Sequence, residues 1–217
     1  MTKHEAVGVD IGGTGIKAGL VDLERGLLIS ERVRVSTPAG AKPADVLAAV
    51  RQVLDTLGVA DQRISLGVAF PAIVEHGRTM SAANVSDDWI GFEAEKFFED
   101  GLARDIAFVN DADAAGVAEA RFGAARGQQG LTIVTTLGTG IGSAFLYNGV
   151  LVPNTELGHL LRKGHSVERW AAYSAKERDD LGWDAWAERL EWFYSHVEFL
   201  FSPDLLVVGG GVSRHGT

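Results

Sequence analysis

One tetrapeptide recurs in this chain together with its surroundings. Gly13-Thr14-Gly15-Ile16 returns as Gly138-Thr139-Gly140-Ile141, 125 positions later. Each copy follows an apolar, β-branched run and precedes a second strand-like run. A tight turn comes next, at Arg25-Gly26 in the first copy and Asn148-Gly149 in the second. Four identical residues carry little weight alone, but matching strands on both sides indicate a duplicated unit. The expected fold is α/β with two similar lobes facing each other across a cleft, each offering one glycine turn to a shared ligand. The N-terminal lobe is expected over residues 1–109 and a larger C-terminal lobe over residues 110–217, with the boundary near residues 109–111.

The remaining elements follow from periodicity. Ala6–Ile11, Ile16–Leu23 and Leu27–Val35 read as a strand meander, the last alternating Val33 and Val35 with Arg32 and Arg34. Ala44–Leu57 has helical spacing and Gly58 stands where a C-terminal cap belongs. Ile64–Phe70 is a strand stopped by Pro71, and Phe92–Leu102 reads as a helix. Ile106–Val109 is a short strand running into Asn110-Asp111 and a helix over Ala112–Phe122. Trp186, Leu190, Phe193, Val197 and Leu200 form an apolar helical stripe ended by Ser202-Pro203. Leu205–Val208 is a last strand, followed by Gly209-Gly210-Gly211.

At 217 residues, 46% hydrophobic and 23% charged, the chain suits one large globular domain or two small lobes. A formal charge of -9 argues against general nucleic-acid binding, which needs a basic footprint. No cysteine is present, so disulfides and thiolate metal sites are ruled out. No apolar stretch approaches the roughly 18 residues of a membrane span, and the first residues lack an apolar signal core. A cytoplasmic protein without membrane partners is expected.

The opening GVDIGGTGIKAGLVD admits three phosphate readings. Lys17 lacks the spacing and following hydroxyl of a P-loop. Gly13, Gly15 and Ala18 fit the dinucleotide fingerprint with Glu31 at a tolerable distance, but that motif needs a helix where Lys17–Asp22 reads as strand. The third reading is a β-hairpin turn, Gly12, Gly13 and Thr14 included, whose N–H groups face phosphate, with Thr14 adding a hydroxyl. Asp10 would then repel the phosphates unless Mg2+, or a water on it, lies between. Plain tight turns are the bland alternative. Lys17 either faces donor phosphates or is an exposed strand lysine.

Asp111, where strand meets helix, is the best candidate general base, with the neutral amide of Asn110 beside it. Equally, Asp111 or Asp113 caps the helix. Glu156 and His159, three apart, suit a hydroxyl-bearing ligand or a metal. Gly138, Thr139 and Gly140 form a second glycine turn able to face phosphate, and Gly209–Gly211 a third glycine cluster. Arg121, Arg126 and Lys163 are candidates for guiding a polyanion, with scattered surface charge the favoured alternative.

DIGGTGIK, GTGIGSAFLYNGVLVPNTELGH, AANVSDDWIG, NDADAAGVAEARFGAARG and the late VVGGGVS resemble the ROK family of sugar kinases and repressors. That family lies within the ribonuclease-H-like, actin-like ATPase superfamily. The resemblance is nearest to members that use polyphosphate to phosphorylate glucose, or glucose and mannose. It implies transfer from polyphosphate or ATP, with Mg2+, to the 6-hydroxyl of glucose. It gives Asp111 the role of base with Asn110 beside it as a neutral sugar ligand, and makes Asn84, Glu156 and His159 sugar ligands, with Glu168 a looser match. Gly138, Thr139 and Gly140 would hold the phosphoryl donor, and Gly209–Gly211 would line the adenosine side if a nucleotide binds. Many ROK proteins hold zinc through the histidine and a following cysteine cluster; this chain has no cysteines, so no zinc is expected. The resemblance also implies a homodimer. An ATP-only kinase and a non-catalytic sugar-binding protein are the alternatives. A repressor is disfavoured because the first hairpin begins at residue 6, leaving no room for a winged helix. The family's further C-terminal helix is expected to be missing after Ser213, which bears on nucleotide use.

Overall fold

The computed structural model describes residues 4–60, 64–82 and 84–212. They fall into two compact units, Met1–Ala114 and Ala115–Thr217. The division lies a few residues after the expected position, inside a helix, and the C-terminal unit is the shorter.

In the first unit β1 (Glu5–Ile11) and β2 (Ile16–Asp22) are antiparallel arms of the first glycine hairpin. The short strands β3 (Leu27–Leu28) and β4 (Val33–Val35) both pair with β2. The expected single strand over Leu27–Val35 is therefore broken. Ser30 supplies the reason: its Oγ accepts the Leu20 N–H at 3.0 Å, where a ladder carbonyl would otherwise stand. Helix α1 (Pro43–Thr56) opens with proline, whose fixed φ suits a first turn, and closes at Gly58, with φ +72° and its N–H on the Asp55 carbonyl. Strand β5 (Ser65–Phe70), the small hairpin β6 (Val74–Glu75) and β7 (Arg78–Thr79), helix α2 (Ala94–Leu102) and strand β8 (Ala107–Asn110) complete the unit. The sheet order is β3-β2-β1-β5-β8, with β5 parallel to both β1 and β8.

The two-residue period of a strand sorts this sheet into two faces. Val7, Val9, Ile11, Ile16, Ala18, Leu66, Val68 and Phe70 are buried in one core with Val46, Val50 and Val53 of α1. Gly8, Asp10, Lys17, Gly19 and Gly67 occupy the alternate positions. Trp89, fully buried in a 3-10 turn (Asp87–Trp89), is the keystone of that core. Its ring lies 4.6 Å from Phe70 and stacks on Phe98 at 5.9 Å, and its Nε1–H donates to the Ala41 carbonyl at 2.8 Å.

Helix α3 (Asp111–Phe122) follows β8 without a break. The second unit then has β9 (Leu131–Leu137), β10 (Ile141–Tyr147) and β11 (Val150–Val152). A tight hairpin follows, β12 (Leu161–Arg162) with β13 (His165–Ser166), then α4 (Glu168–Ala171), α5 (Tyr173–Arg178), α6 (Trp183–Phe201) and β14 (Leu205–Gly209). Its main sheet runs β11-β10-β9-β14, with β14 parallel to β9. Each unit thus sets a parallel strand against the first arm of a glycine hairpin, β5 on β1 and β14 on β9. That is the repeat read from the tetrapeptides. The copies are not identical, for Ile11 faces Ile16 in the first and Leu137 faces Ile141 in the second, one loop residue fewer.

The second core joins Ile133, Leu137 and Ile141 to Trp186, Phe193 and Val197 of α6 and to Leu157, Val167 and Ala171. Leu200, expected on the buried stripe, is 53% exposed; its neighbour Phe201 turns instead onto Phe145, ring to ring at 4.9 Å.

Replacing Trp89 with alanine should cost about 3–5 kcal/mol, since it empties a closed aromatic cluster and orphans the Ala41 carbonyl. Urea unfolding of the variant against the parent measures this.

Candidate functional site

The first unit gathers most of the expected residues at one end of its sheet. Gly12 and Gly15 exchange backbone hydrogen bonds at 3.1 and 3.4 Å, closing the turn with Gly13 and Thr14 exposed at its tip. Thr37 donates its hydroxyl to the Gly12 carbonyl. None of these glycines has positive φ, so the glycines are not there for a left-handed backbone. They admit neighbours. A Cβ on Gly13 would stand 2.8 Å from the Asn84 Cβ, and one on Gly15 would stand 2.7 Å from the Arg34 Nε. Asn84, itself held at φ +60°, is therefore seated directly on the glycine turn.

Asp10 and Lys17 were expected to serve metal and phosphate separately; the structure pairs them. They face each other across β1 and β2, and Lys17 Nζ donates to Asp10 Oδ2 at 2.7 Å. The half-exposed pair holds the lysine in place beside the turn. Lys17 also stands directly opposite Arg34 on β4, which sequence reasoning did not single out.

Asn110 is tied into the fold itself. Its Oδ1 accepts the N–H groups of Ala112 at 2.8 Å and Asp113 at 3.0 Å, and its Nδ2 donates to the Ala72 carbonyl at 2.9 Å. The residue read as a sugar ligand thus also serves as the buried N-cap of α3. With Asn110 as cap, Asp111 sits in the helix's first turn, its Oδ1 accepting the Ala112 N–H at 2.8 Å. Asp113 is buried.

The second unit assembles a second group. The Gly138-Thr139-Gly140 turn closes through Gly138 N–H to the Gly140 carbonyl at 3.0 Å. Ser174 straps it from outside, its N–H on the Gly138 carbonyl at 3.1 Å and its hydroxyl on the Thr139 carbonyl at 2.6 Å. Glu168 lies against the same turn: its Oε2 accepts the Ile141 N–H at 3.4 Å, and a Cβ on Gly140 would stand 2.5 Å from that oxygen. Gly158 also packs closely on both Ile141 and Glu168. Glu156 and His159, at either end of the short 3-10 turn, bring Oε2 and Nε2 to 3.9 Å. Ser143 on β10 fixes that loop, its hydroxyl donating to the Thr155 carbonyl at 2.8 Å and accepting the Leu157 N–H at 3.0 Å. Gly210, at φ +98°, is pressed against Leu137, so the third glycine cluster abuts the second turn. Arg121 and Arg126 are exposed, Arg121 with its guanidinium over Phe122 at 5.5 Å. Lys163 sits at φ +50° in the β12–β13 turn.

Among the described residues no group of three or more His, Asp or Glu side chains stands close enough to hold a metal, and no helix is long and apolar enough to cross a membrane.

Residues 6–168 match the ROK family. The chain belongs to that family. The matched span contains both glycine turns, Asp111, Glu156, His159 and Glu168, and stops short of Gly209. Over 214 residues this ROK chain is 42% identical to polyphosphate glucokinase of Mycobacterium tuberculosis, covering 98% of itself and 80% of that protein. It is 49% identical to the inorganic polyphosphate/ATP-glucomannokinase of Arthrobacter sp. strain KM, with a TM-score of 0.94 over 99% of this chain and 86% of that one. A ROK glucokinase from Streptomyces griseus, at 24% identity and a TM-score of 0.78 over 97% of this chain and 84% of that one, shares its actin-like ATPase fold.

The electrostatics of the ROK chain single out Asp111. The residue reaches solvent at its surface, yet the protein around it strips away enough water to push its pKa up to about 6. The Ala112 N–H pulls the other way, while the charges of Asp10 and Asp113 add to the rise. An acid whose folded pKa is raised gives up stability as it ionises. That contribution is whole below the ordinary value of 3.8 and is lost as pH rises through about 6. Asp111→Asn removes the charge and keeps the shape. The variant should melt above the parent at pH 7–8, and the gain should vanish near pH 4, as read by thermal unfolding across that range.

Proposed function

We propose that this ROK chain transfers a phosphoryl group from inorganic polyphosphate, or from ATP, to the 6-hydroxyl of glucose. Asp111 takes the hydroxyl proton, the sugar oxygen attacks the terminal phosphorus, and the phosphoanhydride bond to the rest of the chain breaks. The products are glucose 6-phosphate and a donor one phosphate shorter. The single observation that carries this reading is the 42% identity to a polyphosphate glucokinase over 98% of the chain, and the raised pKa of Asp111 supports its role as base. A base with pKa about 6 is ionised at neutral pH yet basic enough to accept a proton in the transition state.

Asn84, Asn110, Glu156, His159 and Glu168 are assigned to the sugar's hydroxyls: the carboxylates accept, the amides donate and, where the oxygen is open, accept, and imidazole does either according to tautomer. Mannose is a second acceptor of the same chemistry. The two glycine turns and Lys17 take the phosphates, and Gly209–Gly211 the adenosine of ATP. Mg2+ suits Asp10, whose carboxylate is half-exposed beside Lys17 and close enough to Asp111 to raise its pKa. Mg2+ binds through one or two carboxylates, water and donor oxygens, so a full protein cage is not required, and it would neutralise donor charge. The reading includes a homodimer. Exposed Phe199, Leu200 and Val150 offer apolar surface to a second copy. A non-catalytic sugar-binding role is disfavoured by the raised pKa of Asp111, which binding alone does not need.

A glucose 6-phosphate assay with polyphosphate and ATP side by side tests the reading. Asp111→Asn should lower turnover by roughly 10²–10⁴ with glucose affinity retained, and kcat/KM of the parent should fall as pH drops through about 6. Near-full turnover of the variant would remove Asp111 from the role of base.

A further inference from the structure

We propose that Arg34 is a donor-binding residue: its guanidinium, laid across the first glycine turn beside Lys17, takes the oxygens of a phosphoanhydride chain. The inference deepens the proposed function and rests on it.

Three features place a built anion site there. The first is register. Asp10 stands opposite Lys17, and Lys17 opposite Arg34, so the three side chains form one cross-strand row on the open face of the sheet. Asp10 engages the charge of Lys17 at 2.7 Å, and no carboxylate pairs with Arg34 among the described residues. Arg34 is thus the uncompensated positive charge of the row. The second is donor capacity. Arg34 is exposed and makes one hydrogen bond, Nη2 to the Thr14 carbonyl at 3.2 Å, which leaves most of its five N–H groups free. That one bond fixes the guanidinium over the turn whose Gly13 and Thr14 are exposed. The third is the sequence of the turn. Gly15 has no backbone need for glycine, since its φ is not positive. A Cβ there would stand 2.7 Å from Nε, 2.9 Å from Nη2 and 3.1 Å from Cζ of Arg34. The turn omits a side chain at the one place where the guanidinium must lie flat. A planar fork is the geometry that meets two phosphate oxygens at once, whereas a lysine meets them as a point charge.

The bland reading makes Arg34 a brace for the turn, and the two readings part in kinetics. Arg34→Ala, Arg34→Lys, Gly15→Ala and the Arg34→Ala/Gly15→Ala double variant are assayed at saturating glucose, with polyphosphate and ATP in separate arms. Arg34→Ala should raise the donor KM roughly tenfold, the loss of one charge-assisted contact, with the glucose KM within about twofold of the parent. Arg34→Lys should recover part of that. Gly15→Ala, by displacing the guanidinium, should raise the donor KM likewise, and the double variant should be no worse than Arg34→Ala alone. An equal effect in both arms assigns Arg34 to phosphates common to the two donors. An effect with polyphosphate alone assigns it to the chain beyond them. Calorimetric binding of inorganic tripolyphosphate without sugar keeps this inference separable from the catalytic reading. The parent should bind it and Arg34→Ala about tenfold more weakly, whether or not the protein turns over glucose. Equal tripolyphosphate binding by parent and Arg34→Ala, or an unchanged donor KM with only a lowered melting temperature, overturns the proposal.

Discussion

The pleat of the first sheet, with its period of two, is the constraint on which the other features depend. Val7, Val9 and Ile11 must face the core that Trp89 closes, so Asp10 must face away. Once β1 and β2 pair with Ile11 opposite Ile16, Asp10 is bound to meet Lys17, and Lys17 to meet Arg34. The same sheet carries β8 parallel to β5, ending at Asn110, so that its last strand delivers Asp111 where the charge of Asp10 is felt. One register thus sets the ion pair, the row of cations and the electrostatic environment of the candidate base. A slip of one residue would turn all of these charges into the core.

Glycine does something different here from its usual work in turns. At Gly13, Gly15 and Gly140 the backbone is one that other residues adopt, and what is missing is room for a Cβ beside Asn84, Arg34 and Glu168 respectively. Each repeated turn is therefore a seat for a polar side chain from elsewhere in its own unit. Ser174 and Ser143 do similar work from the main chain outward, strapping the second turn and the loop that carries Glu156. These contacts orient candidate ligands in advance, so that little conformational freedom is left to lose when a substrate binds.

The sequence made the strand–turn–strand units legible because both copies flank a shared tetrapeptide with apolar, β-branched runs. Asp111 was legible through its place at a strand–helix junction. The N-cap role of Asn110 was not legible, because composition cannot tell a polar side chain bonded to its own helix from one facing outward. Arg34 was visible as an outward residue between Val33 and Val35, but what it covers depends on pairing with Lys17, and periodicity does not give register. The break after Leu28 depends on one hydroxyl, Ser30 Oγ, taking a ladder position. The β12–β13 hairpin was missed because its strands are two residues each, too short for alternation to register.

The central claim is that enclosure and the charge of Asp10 together hold the Asp111 carboxyl well above its ordinary range. Carboxyl 13C chemical shifts followed through a pH titration, with Asp111 assigned by comparison with Asp111→Asn, test this without any substrate. The account predicts a midpoint near 6 for Asp111 and a lower one in Asp10→Asn. A midpoint close to 3.8 in the parent, or one indifferent to Asp10→Asn, would contradict it.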